Sequence, residues 1–182
     1  MNIINIHPEI MWNKDLFLRK DSRELTREEV LSEDFKKIVD FMLQSLYEEP
    51  SGVGLAAPQV GLMIRLVVID IKRNGKNPLV LINPTYTPID EEKTDSYENC
   101  LSFVKKQGIV KRYKKIRVQY KDINFNDVEV IPEGFLTMVF QHEIDHINGI
   151  VYIDKTDDIF VVREYSGQLA ERAVKRLYEK SE

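Results

Sequence analysis

The chain predicts an α+β fold: mainly antiparallel β-sheets around a central H-E-x-x-H metal-binding helix, with an N-terminal helix and a C-terminal helix. Three observations carry this. Apolar residues recur with helical spacing at Phe35, Ile38, Val39, Met42 and Leu46. From Arg65 the pattern changes to short β-branched runs bounded by Gly, Asn and Pro. Helical spacing then returns around Gln141-His142-Glu143-Ile144-Asp145-His146. Helix, several strands, helix, helix, with no internal repeat or long linker, suits a mixed fold with an antiparallel sheet.

Composition narrows the classes. A chain of 182 residues reads as one domain spanning 1–182, long enough to bury a sizeable core. The net charge of −4 argues against a general nucleic-acid binder, so no specific nucleic-acid partner is expected. No apolar run approaches the roughly 20 residues of a membrane span, so no membrane partner is expected. Met1-Asn2-Ile3-Ile4-Asn5-Ile6-His7 lacks the basic and apolar regions of a secretory signal. The single Cys, Cys100, cannot form an internal disulfide and suits a reducing compartment. The expected location is cytoplasmic, in a bacterial cytosol.

The elements follow in order. Residues 1–31 are mixed and turn-rich and predict a short arm followed by loop. Ser32 is placed to cap a helix, with Glu33 and Asp34 in the first turn opposing the dipole. That helix ends before Pro50. Ser51-Gly52-Val53-Gly54-Leu55-Ala56-Ala57-Pro58-Gln59-Val60-Gly61 is small and glycine-bearing, so its backbone can approach a ligand closely. It lacks the pattern of a phosphate or dinucleotide loop, and alone it reads as a tight connection from helix to strand. Arg65–Asp70 and Leu79–Pro84 read as strands, with Asn74-Gly75 as a hairpin-type turn between them. Tyr86 to Ile89 extends the sheet. From Ile109 the strand signal returns. Ile116, Val118 and Tyr120 alternate with Lys115, Arg117, Gln119 and Lys121, which leaves one face wet.

Asn126-Asp127 turns the chain into Val128-Glu129-Val130, and Pro132-Glu133-Gly134 leads into the motif helix. On that helix Phe135, Met138, Val139, His142 and His146 share a face, and Gly149 stands where a C-terminal cap belongs. Ile150–Asp154 reads as a short strand. Phe160 to Glu179 reads as a charged amphipathic helix with Leu169, Ala173, Val174 and Leu177 on its apolar side.

The chemistry begins at His142 and His146. Residues i and i+4 lie on one helix face, so two imidazoles can meet one metal ion, with Glu143 placed beside a bound water. A catalytic site needs a third protein ligand and an open position. The metzincin pattern fails at the last place, because residue 152 is Tyr. His7, a downstream Glu such as Glu164 or Glu171, and Cys100 remain. A Glu ligand would make the chain a zinc endopeptidase with a His₂Glu site.

Three segments, in order, resemble the peptide deformylases. Gly52-Val53-Gly54-Leu55-Ala56-Ala57-Pro58-Gln59 resembles their G-x-G-x-A-A-x-Q. Glu98-Asn99-Cys100-Leu101-Ser102 resembles E-G-C-L-S, and Gln141-His142-Glu143-Ile144-Asp145-His146 matches Q-H-E-x-D-H. The likeness continues through Leu16-Phe17-Leu18-Arg19, Val60-Gly61, Val110-Lys111-Arg112 and His146-Ile147-Asn148-Gly149-Ile150 with Asp154.

The resemblance implies Cys100, His142 and His146 as metal ligands. It implies one divalent ion, Fe²⁺ in vivo, with Zn²⁺, Ni²⁺ or Co²⁺ able to occupy the same site. The ligand types alone suit zinc as well as iron. The implied reaction removes formate from N-formyl-methionyl peptides, with Glu143 as general base and acid and the Gln59 amide and Leu101 backbone N–H as oxyanion donors. Val53 and Gly54 would pair with an extended substrate, and Phe135, Met138 and Val139 would receive the methionine side chain. A charge pair of Arg112 with Glu98 or Asp145 would brace the ligands. Two departures stand out. Asn99 replaces the Gly of the second motif; Asn tolerates positive φ best among side-chain-bearing residues, and its side chain would lie near substrate. Val104 stands where Pro is common. In some family members a C-terminal helix docks on the ribosome. The positive charge of Lys105–Lys121 and of Arg163, Arg172, Lys175, Arg176 and Lys180 therefore raises a transient ribosome contact beside the ordinary reading of a solvated face. A non-catalytic relative that binds peptide ends or the ribosome is the remaining alternative.

Overall fold

Two helices open the described part of the chain, which in this computed structural model comprises residues 18–103 and 105–161. The first, α1 (Arg27–Val30), is a single turn held by a capping box: Thr26 accepts from the Glu29 N–H, and the Glu29 carboxylate accepts from the Thr26 N–H. It falls where a plain loop was expected. The second, α2 (Glu33–Glu48), begins as expected, with Ser32 Oγ accepting from the Phe35 N–H at 3.2 Å. Phe35, Ile38, Met42 and Leu46 are buried along its inner face.

Eight strands are described: β1 (Gly54–Ala56), β2 (Leu66–Ile69), β3 (Leu79–Pro88), β4 (Lys93–Asn99), β5 (Lys106–Tyr113), β6 (Ile116–Lys121), β7 (Asp127–Val130) and, after the motif helix α3 (Phe135–Ile147), β8 (Ile159–Val161). They form two antiparallel sheets, one ordered β1-β2-β3-β6-β7 and the other β4-β5-β8. The architecture is α+β.

The larger sheet lies between the two long helices, and the period of two in β2 divides the core. Leu66 and Val68 join the cluster under α2 with Phe35, Ile38, Met42 and Leu46. Val67 and Ile69 join the cluster under α3 with Val139, Phe140, Ile144 and Ile147. Both faces of β2 are therefore dry, which is why it reads as an unbroken apolar run. Each such side chain contributes about 1.5–3 kcal/mol on burial, so α3 is fixed rigidly on the sheet.

The C-terminus of α3 closes in a Schellman arrangement, with the Ile150 N–H on Asp145 O (2.9 Å) and the Gly149 N–H on His146 O (3.2 Å). Gly149 takes φ +68, and a Cβ there would meet the Arg19 backbone at 2.9 Å, so glycine is required twice over. Arg19 also pairs with Asp154, joining the first and last segments of the likeness. Two expected elements are corrected. Ile150–Asp154 is not a strand: after extended Val151, Tyr152–Asp154 forms a 3₁₀ turn whose Asp154 and Lys155 N–H groups bond back to Val151 and Tyr152. Phe160 lies in β8, against Gln107 of β5, rather than opening a helix. The rest of the tail helix, the arm with His7, and Glu164, Glu171 and Val104 lie outside the described residues.

Candidate metal centre and active site

The motif helix presents His142 and His146 one turn apart, and β4 delivers Cys100 at the turn that follows its last residue. The three ligand atoms lie within 4.8 Å of one another. Cys100 Sγ is 3.2 Å from His146 Nε2. On His142, Nδ1 is held by Glu98 Oε2 at 2.8 Å, which leaves Nε2 for a ligand position. One thiolate and two imidazoles within this span fit a divalent transition metal. Two buried atoms beside them, His146 Nδ1 and Glu143 Oε2, have no hydrogen-bond partner among the described residues. Such groups are costly to bury unless a ligand or water satisfies them.

The ligands are braced by a buried charge network. Arg112 donates through Nε and Nη2 to both oxygens of Glu98, at 2.7 and 2.8 Å, and through Nη1 to Asp145. Asp145 also accepts from Lys155 Nζ (2.9 Å) and the Tyr86 hydroxyl (3.2 Å). A single guanidinium thus ties the strand carrying Cys100 to the helix carrying both imidazoles. The expectation named Glu98 or Asp145 as its partner; both are. Gln141 locks α3 to β5, the neighbour of that strand: its Oε1 accepts from the Tyr113 N–H (3.0 Å) and its Nε2 donates to Tyr113 O (2.9 Å).

Burial and neighbours set the protonation states. Burial pushes Glu143 up, to about 7, which suits proton transfer near neutrality. Burial also opposes ionised Glu98, yet Arg112 and His142 hold it well below the usual carboxylate range. His142 is opposed by burial but lifted well above its ordinary value by Cys100 and Glu98, whereas burial and then His142 push His146 down.

The opposite wall is the glycine-bearing segment. Gly54 in β1 abuts Glu143 so closely that an added Cβ would meet Glu143 Oε1 at 2.6 Å. Gln59 is buried; its Oε1 is fixed by the Ala56 N–H at 2.8 Å, and its Nε2 donates to Ser102 Oγ at 3.2 Å and faces Cys100 Sγ at 3.5 Å. The Ser102 N–H also approaches the sulfur, at 3.4 Å. An open cleft is lined by Gly52, Val53, Gly54, Gln59, Asn99, Cys100, Leu101, Phe135, Met138, Val139, His142 and Glu143, among others. All the sequence-named site residues except His146 line it, and His146 lies behind, 1% exposed.

Some features differ from expectation or escaped it. Asn99 ends β4 opposite Gln107 and is not among the four positive-φ non-glycine residues of the described chain, so no left-handed backbone has to be tolerated there. Its side chain is exposed at the cleft rim. Glu98 was expected only as an Arg112 partner, not as the carboxylate on His142. Tyr152, which breaks the metzincin pattern, packs its ring 5.9 Å from that of His142 and donates to Lys106 O. Within the basic stretch 105–121, Lys111, Lys114, Arg117 and Lys121 each pair with a carboxylate.

An α+β fold with an H-E-x-x-H helix, a cysteine in reach of both imidazoles and a buried glutamate beside them defines a class of metal-dependent amide hydrolases. The sequence profile of the Polypeptide deformylase family matches residues 8–160. The chain is 42% identical over 143 residues to the peptide deformylase of Lachnoclostridium phytofermentans, covering 79% of this chain and 85% of that one. It is 40% identical over 141 residues to that of Thermotoga maritima, covering 78% and 82%. The crystal structure of peptide deformylase from Thermotoga maritima superposes with a TM-score of 0.72 over 80% of this chain and 95% of that one, at 38% identity. A peptide deformylase from Synechococcus elongatus in complex with actinonin gives 0.73 over 93% and 86%, at 30% identity. The chain belongs to the peptide deformylase family. Among the described residues, no helix is long and apolar enough to cross a membrane.

Proposed function

We propose that this chain, as one catalytic domain, removes the formyl group from the N-terminal formyl-methionine of newly made polypeptides and releases formate. The observation that carries the reading is the convergence of Cys100, His142 and His146 within 4.8 Å, with buried Glu143 beside them. Those three residues would hold one divalent ion, and we assign Fe²⁺ in vivo, with Zn²⁺, Ni²⁺ or Co²⁺ accepted by the same donors. When bound, such an ion supplies Lewis acidity, lowering the pKa of a water and polarising a carbonyl.

The protein's own groups do the rest. Glu143, held near neutral pKa by burial, takes a proton from the attacking water and passes it to the leaving amine. The Gln59 amide cannot rotate freely because Ala56 holds its oxygen. Its N–H₂ is therefore oriented into the cleft before substrate arrives, and with the Leu101 backbone N–H it stabilises the developing oxyanion. β1 is an edge strand, so an extended peptide can add along Val53 and Gly54. Phe135, Met138 and Val139, which line the cleft on α3 before His142, receive the methionine side chain.

Formate release from formyl-Met-Ala-Ser by air-free protein tests the assignment. Cys100→Ser separates it from a His₂Glu endopeptidase: it abolishes metal binding under the thiolate reading and leaves a His₂Glu enzyme intact. Wild-type protein that holds an ion but releases no formate would instead support a non-catalytic relative. The cytoplasm, where new polypeptides carry the formyl group, is the proposed location. The basic residues of 105–121 and of the tail are the proposed surface for a transient ribosome contact.

A further inference from the structure

The connection between β2 and β3 carries an arginine in an unusual position, and the geometry points to Arg73 as a positioning residue for the substrate-binding strand. The inference rests on the deformylase reading for its kinetic arm only. Arg73 has φ +48, a conformation that costs energy in a side-chain-bearing residue. Its guanidinium reaches back across the sheet edge to three carbonyls: Nη1 donates to Gly52 O and approaches Leu46 O at 3.5 Å, and Nη2 approaches Tyr47 O at 3.4 Å.

Two of those carbonyls lie in the last turn of α2, whose final turn contains no basic residue of its own. The negative end of that helix is thus met by a cation from elsewhere in the chain. The third carbonyl, at Gly52, belongs to the segment that enters β1 and lines the cleft. Arg73 therefore ties the end of α2, held on the sheet by its buried face, to the strand against which substrate would lie.

The loop is itself anchored for this purpose. Asp70 donates its N–H to Val53 O (2.9 Å), and its carboxylate accepts from the Tyr47 hydroxyl (2.8 Å) and the Gly75 N–H (2.9 Å). Gly52 and Val53 are held from one side by residues 70 and 73, while Gly54 rests on Glu143 from the other. Glu143 belongs to α3 and does not depend on the loop. Loss of Arg73 should thus loosen the peptide-binding edge and spare the proton-transfer group.

Three variants test this: Arg73→Ala, Arg73→Lys and Tyr47→Phe, the last removing a different tether of the same loop. Hydrogen exchange of residues 50–56 in the full-length, metal-loaded protein requires no turnover and is read first. Arg73→Ala should speed that exchange at least about tenfold, with Arg73→Lys between it and wild type and Tyr47→Phe close to wild type. With formyl-Met-Ala-Ser, Arg73→Ala should raise KM about tenfold and leave kcat within about twofold. Unchanged exchange in Arg73→Ala overturns the inference, as does a Tyr47→Phe effect of equal size, or parallel loss of kcat and metal. If wild type releases no formate, the functional reading falls while the exchange result still decides the role of Arg73.

Discussion

Gly54→Ala is the sharpest test of how the cleft is built. A Cβ at this position would lie 2.6 Å from Glu143 Oε1, 2.8 Å from Cγ and 2.9 Å from Cδ. Carbon atoms prefer about 3.5–4.0 Å, so the overlap at Cγ is about 0.7 Å. Three atoms in a row are struck, so rotating the carboxylate tip does not relieve it. Either Glu143 or β1 must move by about 1 Å, and a shift of that size at a reacting group can cost about 10²-fold in rate. β1 is paired along its length with β2, and Glu143 is 5% exposed, so neither yields cheaply. Overpacking of this kind costs about 1–3 kcal/mol, at about 2–4 °C in Tm for each kcal/mol in a domain of this size.

The expected variant holds its metal, melts several degrees lower and loses about 100-fold in kcat for formate release. Gly52→Ala is the control. Its Cβ would meet methyl groups of Leu46 and Leu101 at 3.0 and 3.1 Å, and leucine ends can turn aside, so the loss should stay under about tenfold. A Gly54→Ala enzyme with kcat within about threefold of wild type would refute the argument that this approach leaves no room for a Cβ beside Glu143.

Three further outcomes follow from the same geometry. Arg112→Met leaves Glu98 and Asp145 buried without their cation; it should lose about 3–5 kcal/mol in denaturant melts and about 10–100-fold in metal affinity by chelator competition. Asp70 is opposed by burial, yet the Gly75 N–H and Tyr47 hydroxyl hold it below its ordinary 3.8. A depressed carboxylate stabilises the fold above its unfolded pKa and loses that contribution as pH falls, so Asp70→Asn should flatten the stability decline below about pH 4 in melts run across that range. Asn99→Gly clears a side chain from the cleft rim and should change the ratio of kcat/KM between formyl-Met peptides with small and bulky second residues; an unchanged ratio would remove Asn99 from substrate contact.

The helices and strands of the core were legible because their periods differ. Phe35 to Leu46 repeat at 3.6, and β6 alternates with a buried face at Ile116 and Val118. The pair His142 and His146 is local, so its spacing alone placed both imidazoles on one face. Cys100 is different. It meets His146 across 46 positions of sequence, a distance no local pattern encodes, and only the likeness of three motifs brought it into the site. The Arg112 bridge to Glu98 and Asp145 likewise came from the likeness and not from any local pattern. Ile150–Asp154 misled because its run of four apolar residues is too short to show a period; its backbone is satisfied by local turns instead. The α1 cap, by contrast, stood in plain view as Thr26-Arg27-Glu28-Glu29.

The most direct measurement is X-ray absorption at the metal edge of protein prepared without air. One ion per chain, with one sulfur at about 2.3 Å and two imidazole nitrogens at about 2.0–2.1 Å if zinc is loaded, is the predicted result. A spectrum lacking the sulfur, from protein that still releases formate, would contradict it.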